Sequence, residues 1–247
     1  MPQTPQPPPR DSAGVRVAYD PFEVRAWCGR ALVIDLFRFS NTICALLESG
    51  RRDIRVYASP ERAVAARKLE NNSDLFSEID LGPGVYQYDN SPYTALHGSD
   101  PARAALSVTN SGSPAATAPT LAAEILIACF ANSPALTAWC RSRPMPTLIV
   151  PACLFYNSAH VEDFICARAL ERELTGEVCA ARGQDAFAAA LEEIHASGRV
   201  LDFMTTRPET GKRDMEIALQ RGIFKSVPRL KLASGVGRVE NACEGKV

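Results

Sequence analysis

The chain of 247 residues has no C-x-x-C pair, no excess charge of either sign, no long apolar run and only three histidines. Each shortage excludes something. Lysine and arginine number 27 against 28 acidic residues, so the clustered positive charge that displaces counterions from nucleic acid is missing. The longest uninterrupted apolar run, Ile125 to Ala131, has seven residues, far fewer than the ~20 a membrane-spanning helix needs. Neither a nucleic-acid nor a membrane partner is expected. The eight cysteines, at 28, 44, 129, 140, 153, 166, 179 and 243, have no histidine at finger spacing, so a structural zinc site is not expected. Cys44, Cys129 and Cys166 stand in apolar stretches, where a free thiol packs as a small hydrophobe. That usage points to a reducing, cytoplasmic compartment.

What is present is a 46% hydrophobic chain long enough to bury a substantial core. Its first nine residues hold five prolines and no apolar run. They read as a disordered tail over 1–15 rather than a signal peptide. One folded unit is expected over 16–235, with a second tail over 236–247. Ala31–Leu36, Ile54–Tyr57, Ala104–Val108, Ile125–Phe130 and Thr147–Val150 read as strands. Helices are expected over Thr42–Leu47, from Ser59-Pro60 to Leu69, from Thr109–Ser113 to Ala123, and after Asn132-Ser133-Pro134. Further helices are expected over Ala159–Leu174, Asp185–His195 and Lys212–Gln220. The polar stretch 71–99 reads as a long loop. The alternation indicates an α/β fold, with a mostly parallel or mixed sheet covered by helices.

In such sheets ligands collect beyond the C-terminal ends of strands. The first strand end carries Asp35 and Arg38. A carboxylate there costs free energy unless it is paired or bound to a metal, and a buried Asp35–Arg38 ion pair fits as well as a functional site. The second end carries Thr109-Asn110-Ser111-Gly112-Ser113, small residues that suit either an anion or ordinary caps and turns. Asn132 is a cap by default and an anion contact if the site is near. Glu162 and Asp163 open a helix, where acids favour the helix dipole and where one of them could help hold Mg2+. Together these ends suit an oxyanion with a divalent cation, and hence phosphate-ester hydrolysis.

The segments resemble the 2-phosphosulfolactate phosphatase family (ComB), Mg2+-dependent enzymes of coenzyme M biosynthesis. Val33-Ile-Asp-Leu-Phe-Arg-Phe-Ser-Asn-Thr42 is similar to the family's opening V-I-D-V-L-R-A-T-T-T, keeping Asp35, Arg38 and Thr42. Tyr88-Asp-Asn-Ser-Pro92 resembles its F-D-L-G-N-S-P, and Val108-Thr-Asn-Ser-Gly-Ser113 its T-T-N-G-T. Val161-Glu-Asp-Phe-Ile-Cys-Ala-Arg168 resembles L-E-D-V-L-C-A-G, and Asp214 ahead of Val227-Pro228 matches a late family aspartate. The resemblance runs colinearly from about 31 to 230. It departs at Leu75–Asp80, where Glu78 stands for a family glutamate without its glycine and arginine, and at Phe39, Asn41 and Arg168.

The resemblance implies a Mg2+-dependent phosphatase acting on a small phosphorylated acid. Asp35, Arg38, Glu162 and Asp163 would be the catalytic set, with Asp35 and Glu162 as metal ligands. Asn90, Ser91, Thr109, Asn110, Ser111, Gly112 and Asn132 would be the phosphate and substrate contacts. Which carboxylate is base, nucleophile or ligand stays open, and a substrate other than 2-phosphosulfolactate is compatible with the departures. The alternative is a non-catalytic small-anion-binding protein on the same scaffold. A haloacid-dehalogenase mechanism would need an acid where Phe37 stands, and a cysteine hydrolase a partner for His97, His160 or His195. Symmetric dimers are common among small α/β enzymes, so a homodimer is the expected form of any self-association.

Overall fold

The computed structural model describes residues 14–176 and 185–244. Among them nine strands form one sheet: β1 (Val15–Val17), β2 (Arg30–Ile34), β3 (Ile54–Tyr57), β4 (Ser73–Phe76), β5 (Ala104–Ser107), β6 (Glu124–Ile127), β7 (Thr147–Pro151), β8 (Pro228–Ala233) and β9 (Val236–Asn241). Ten helices accompany it: α1 (Pro21–Ala26), α2 (Phe39–Glu48), α3 (Pro60–Leu69), α4 (Pro92–His97), α5 (Gly112–Thr117), α6 (Ser133–Ser142), α7 (Val161–Thr175), α8 (Ala186–Ala196), α9 (Arg199–Thr206) and α10 (Gly211–Ala218). The α/β class expected from the alternation is the one observed.

Strand order is β1-β7-β2-β6-β8-β9-β3-β5-β4. β1, β7, β2 and β6 are mutually parallel, and so are β3, β5 and β4. The β8–β9 hairpin joins the two blocks through three antiparallel pairings, so the blocks run in opposite directions. Strands twist by ~20–25° per step, and the five steps from β2 to β5 therefore turn the chain direction by about 100° or more. The segments that follow β2 and β5 nevertheless meet, where the Ser111 hydroxyl donates to Asp35.

Every residue of β2 and β7 is buried, as strands covered on both faces require. α2 lies almost wholly inside, with Phe39 through Leu46 buried, and packs on β2, β6, β8 and α4. Ile54, Val56, Phe76 and Ala105 of the second block face this main core. Its other face forms a smaller cluster of Tyr57, Ala63, Leu75, Leu106 and Val108 under α3. Helix starts follow local chemistry: Asp20 and Ser91 each accept a backbone N–H at an N-cap, with proline next in line. α7 ends at Gly176, whose φ of 74° is open to glycine and costly for other residues.

The structure changes several boundaries. Residues 236–241, read as tail, are β9, in the middle of the sheet. Val236 and Val239 stand in register with Ala233 and Leu230 of β8. Val15, also read as tail, opens β1, and residues 1–13 lie outside the described ones. The stretch 71–99 contains β4 and α4 rather than a continuous loop. α5 stops at Thr117 instead of Ala123, because Pro119 has no N–H to continue it. α9 was not foreseen.

Candidate active site

Both blocks feed one cavity of about 260 Å3. From the end of β2 come Asp35, Phe37 and Arg38, and from the turn beyond β7 come Tyr156, Asn157 and His160. The end of β4 supplies Glu78, the loop before α4 supplies Asn90, and the end of β5 supplies Asn110 and Ser111. Arg207, just past α9, completes the lining.

Asp35 is nearly inaccessible, at 4% exposure. Its Oδ2 accepts the Ser111 hydroxyl at 2.7 Å and its Oδ1 the Phe39 N–H at 3.3 Å. Burial raises its pKa from the usual 3.8 to about 6, helped by the nearby charges of Glu78 and Glu162 and opposed by those two hydrogen bonds. Glu78 accepts the Asn110 N–H at 2.7 Å through Oε1, and burial raises its pKa as well. Its Oε2 is buried without a partner, as is Oδ1 of Asn90.

Arg38 does not pair with Asp35. Its Nη1 donates to Asp214 at 2.5 Å and its Nη2 to Asp89 at 2.6 Å. Asp214 is fully buried and also accepts the Ser91 hydroxyl at 2.6 Å and the Tyr93 N–H at 3.3 Å. The turn after β2 is thereby tied to α4 and α10. Arg207, half-buried, pairs with no carboxylate among the described residues and lies 4.5 Å from the Phe203 ring centroid.

The candidates taken from the sequence divide sharply. Asp35, Arg38, Asn90, Asn110 and Ser111 are on the cavity wall. The others brace it. Glu162 gives both oxygens to Arg199, each at 2.9 Å, and is absent from the lining, so the expected metal-ligand role is not supported by its contacts. Asp163 accepts the Leu36 N–H at 2.8 Å and the Cys153 N–H at 2.9 Å, clamping the ends of β2 and β7 to α7. Burial, then Asp35 and Glu162, push its carboxyl well above the usual range. Ser91 caps α4. Thr109 and Ser113 hydrogen-bond each other. Asn132 accepts the Cys129 N–H at 3.0 Å and donates to the Ile127 carbonyl at 3.1 Å, and so holds a turn instead of an anion.

Gly112 is required by packing, since a Cβ there would stand 2.3 Å from Cγ of Phe39. Phe39 therefore fills space beside Gly112 and is not on the wall. Asn41 donates to the Leu36 carbonyl at 2.9 Å, and Arg168 pairs with Glu193 on the surface. Among the four sequence departures, only the Glu78 loop reaches the cavity. Glu78 was legible as a stand-in glutamate. Phe37, Tyr156, Asn157, His160 and Arg207 were missed as lining residues, and for Arg207 the missing cue was α9 itself.

Among the described residues no helix is long and apolar enough to cross a membrane, and none of their acids, histidines and cysteines cluster by threes as a metal cage would. No curated protein matches the chain. The family model for 2-phosphosulpholactate phosphatase matches residues 23–232, which include β2 through β7 and every strand end on the cavity. The chain belongs to the 2-phosphosulpholactate phosphatase family.

Proposed function

We propose that the protein is a Mg2+-dependent phosphomonoesterase whose substrate is a small phosphorylated acid, 2-phosphosulfolactate or a close relative, in the cytoplasm, where its thiols stay reduced. The carrying observation is the pair of buried, unpartnered oxygens on the cavity wall, Glu78 Oε2 and Asn90 Oδ1, beside the buried carboxylate of Asp35. Buried acceptors without donors are costly, and a hard cation relieves that cost. The donor set fits Mg2+, which takes one or two carboxylates and keeps water and phosphate oxygens for its other positions. Asp35 and Glu78 would hold it, with the Asn90 amide oxygen beside them. Bound there, the ion would neutralise charge on the transferring phosphoryl group.

The chain's own residues supply the rest. Ser111 and the Phe39 N–H orient the Asp35 carboxylate. The Asn110 N–H fixes the Glu78 carboxylate, leaving Oε2 turned away from that bond. Arg38, locked by Asp89 and Asp214, presents a fixed edge to the cavity. Asp163 immobilises the backbone at Leu36, next to Asp35.

Phosphate release from a panel of small phosphomonoesters, measured with and without Mg2+, tests the reading. Release should require the ion and fall at least ~1,000-fold in Asp35→Asn and in Glu78→Gln, on the scale of losing central electrostatic stabilisation. Release that survives chelation, or that persists in Asp35→Asn, would overturn it. Binding of small anions without any release would favour a non-catalytic anion carrier.

A further inference from the structure

We propose that Arg207 determines substrate specificity by binding a second oxyanion of the substrate, a carboxylate or sulfonate separate from the phosphate ester. The inference rests on the Mg2+-dependent phosphomonoesterase reading for the bond that is broken and for the place of the phosphate.

The two guanidiniums on the wall differ in one respect. Arg38 is matched by two carboxylates, Asp89 at 2.6 Å and Asp214 at 2.5 Å. Arg207 has no acid partner among the described residues, and its Nη1 donates to the Thr206 hydroxyl at 3.2 Å. A half-buried guanidinium without a hydrogen-bonded acid leaves its charge only partly relieved, here by the more distant Asp89 and Glu78. Burial and the like charge of Arg38 hold its proton affinity below the usual guanidinium range.

The geometry is that of a receptor. Phe203 is buried, and its ring centroid lies 4.5 Å from Arg207 and 5.0 Å from Arg38. Stacking on the ring fixes the plane of the Arg207 guanidinium and leaves N–H groups at its edge for two-point contact with an oxyanion. The phosphate belongs elsewhere. Asp35 and Glu78 repel a bare anion, so the phosphoryl group sits with the cation they would hold. At about 260 Å3 the cavity is smaller than the ~300–1,000 Å3 pockets that take drug-sized ligands, so both anions belong to one small molecule.

Three matched esters test this: 2-phospholactate, its sulfonate counterpart and its neutral methyl ester, each assayed for kcat/KM with Mg2+. The wild type should favour the acids over the methyl ester by roughly 30-fold or more, the scale of a charge-assisted hydrogen-bonded pair. Arg207→Gln should reduce that preference at least tenfold, and Arg207→Lys, which keeps the charge without the fork, should fall between. The carboxylate and sulfonate arms identify which acid the site prefers. A wild type without preference, or a loss in Arg207→Gln that is equal for all three esters, would overturn the inference and leave the phosphatase reading intact. If no ester is hydrolysed, that reading fails instead, and calorimetric titration of the full chain with lactate and with a small sulfonate decides the anion site. Binding lost in Arg207→Gln supports the site, and binding that is absent or indifferent to the substitution overturns it.

Discussion

The block β1-β7-β2-β6 is held mainly by apolar side chains buried on both faces, with its buried Arg30–Glu124 pair confined to the starts of β2 and β6, whereas the block β3-β5-β4 places a charged cluster around the middle of β4. Ala31 through Ile34 and Leu148 through Val150 are fully covered, each large aliphatic chain contributing ~1.5–3 kcal/mol. In the second block Arg51, wholly inaccessible, donates from both Nη atoms to Asp74 at 3.1 Å, and Arg103 reaches the other oxygen of Asp74 at 2.7 Å. The first block brings Asp35 and Arg38 to the cavity, and the second brings Glu78, Asn90, Asn110 and Ser111. The difference separates two ways of specifying a strand. One is written in its own composition, the other in partners far along the chain.

Three substitutions put the contrast at risk. The largest effect should come from Asp74→Leu, which leaves Arg51 buried without its acid. Urea unfolding should show a loss of about 3–5 kcal/mol, mostly recovered in Arg51→Met/Asp74→Leu. A loss below ~1 kcal/mol would mean that the second block does not depend on its buried charge.

The next concerns Asp35, at the end of the apolar block. Its folded pKa of about 6 exceeds the usual 3.8, so the folded state binds the proton more tightly. Its contribution to stability is full below pH ~4 and is lost as pH rises through about 6. For metal-free protein, the stability of Asp35→Asn relative to wild type should therefore climb by about 2–3 kcal/mol between pH 4 and pH 7. A flat difference would show that Asp35 is not buried as described.

The smallest expected effect lies where the blocks touch. Gly112→Ala drives a methyl group into Phe39 and should cost about 1–3 kcal/mol, with part regained when Phe39→Val is added. Additive losses in that double variant would place the two residues out of contact.

The contrast also explains what could be read in advance. Ala31–Leu36 announces a buried strand by composition, and Asp35 stands out as the polar residue that ends it. β4, Ser73-Asp-Leu-Phe76, looks like loop because the burial of Asp74 depends on arginines 23 residues before and 29 after it in sequence. In β8 and β9 the signal was present. Arg229 and Lys231 alternate with apolar neighbours and meet Glu240 across the hairpin. At the site, residue types located the neighbourhood but not the division of labour. Asn110 and Asn132 are the same amide at corresponding strand ends, and only the fold turns one to the cavity and the other to a turn. Glu162 and Asp163 looked like chemistry and act as clamps, because Arg199 and two backbone N–H groups reach them first.

The central hairpin has a consequence for the nascent chain. β8 and β9 come last in chain order among the described strands, yet they sit between the two blocks. A ribosome delivering this protein exposes two half-sheets, with unpaired edges at β6 and β3, until residues 228–241 emerge. Such edges invite pairing with other chains. The last ribbon of backbone thus completes the seam between the two blocks whose ends meet at Ser111 and Asp35.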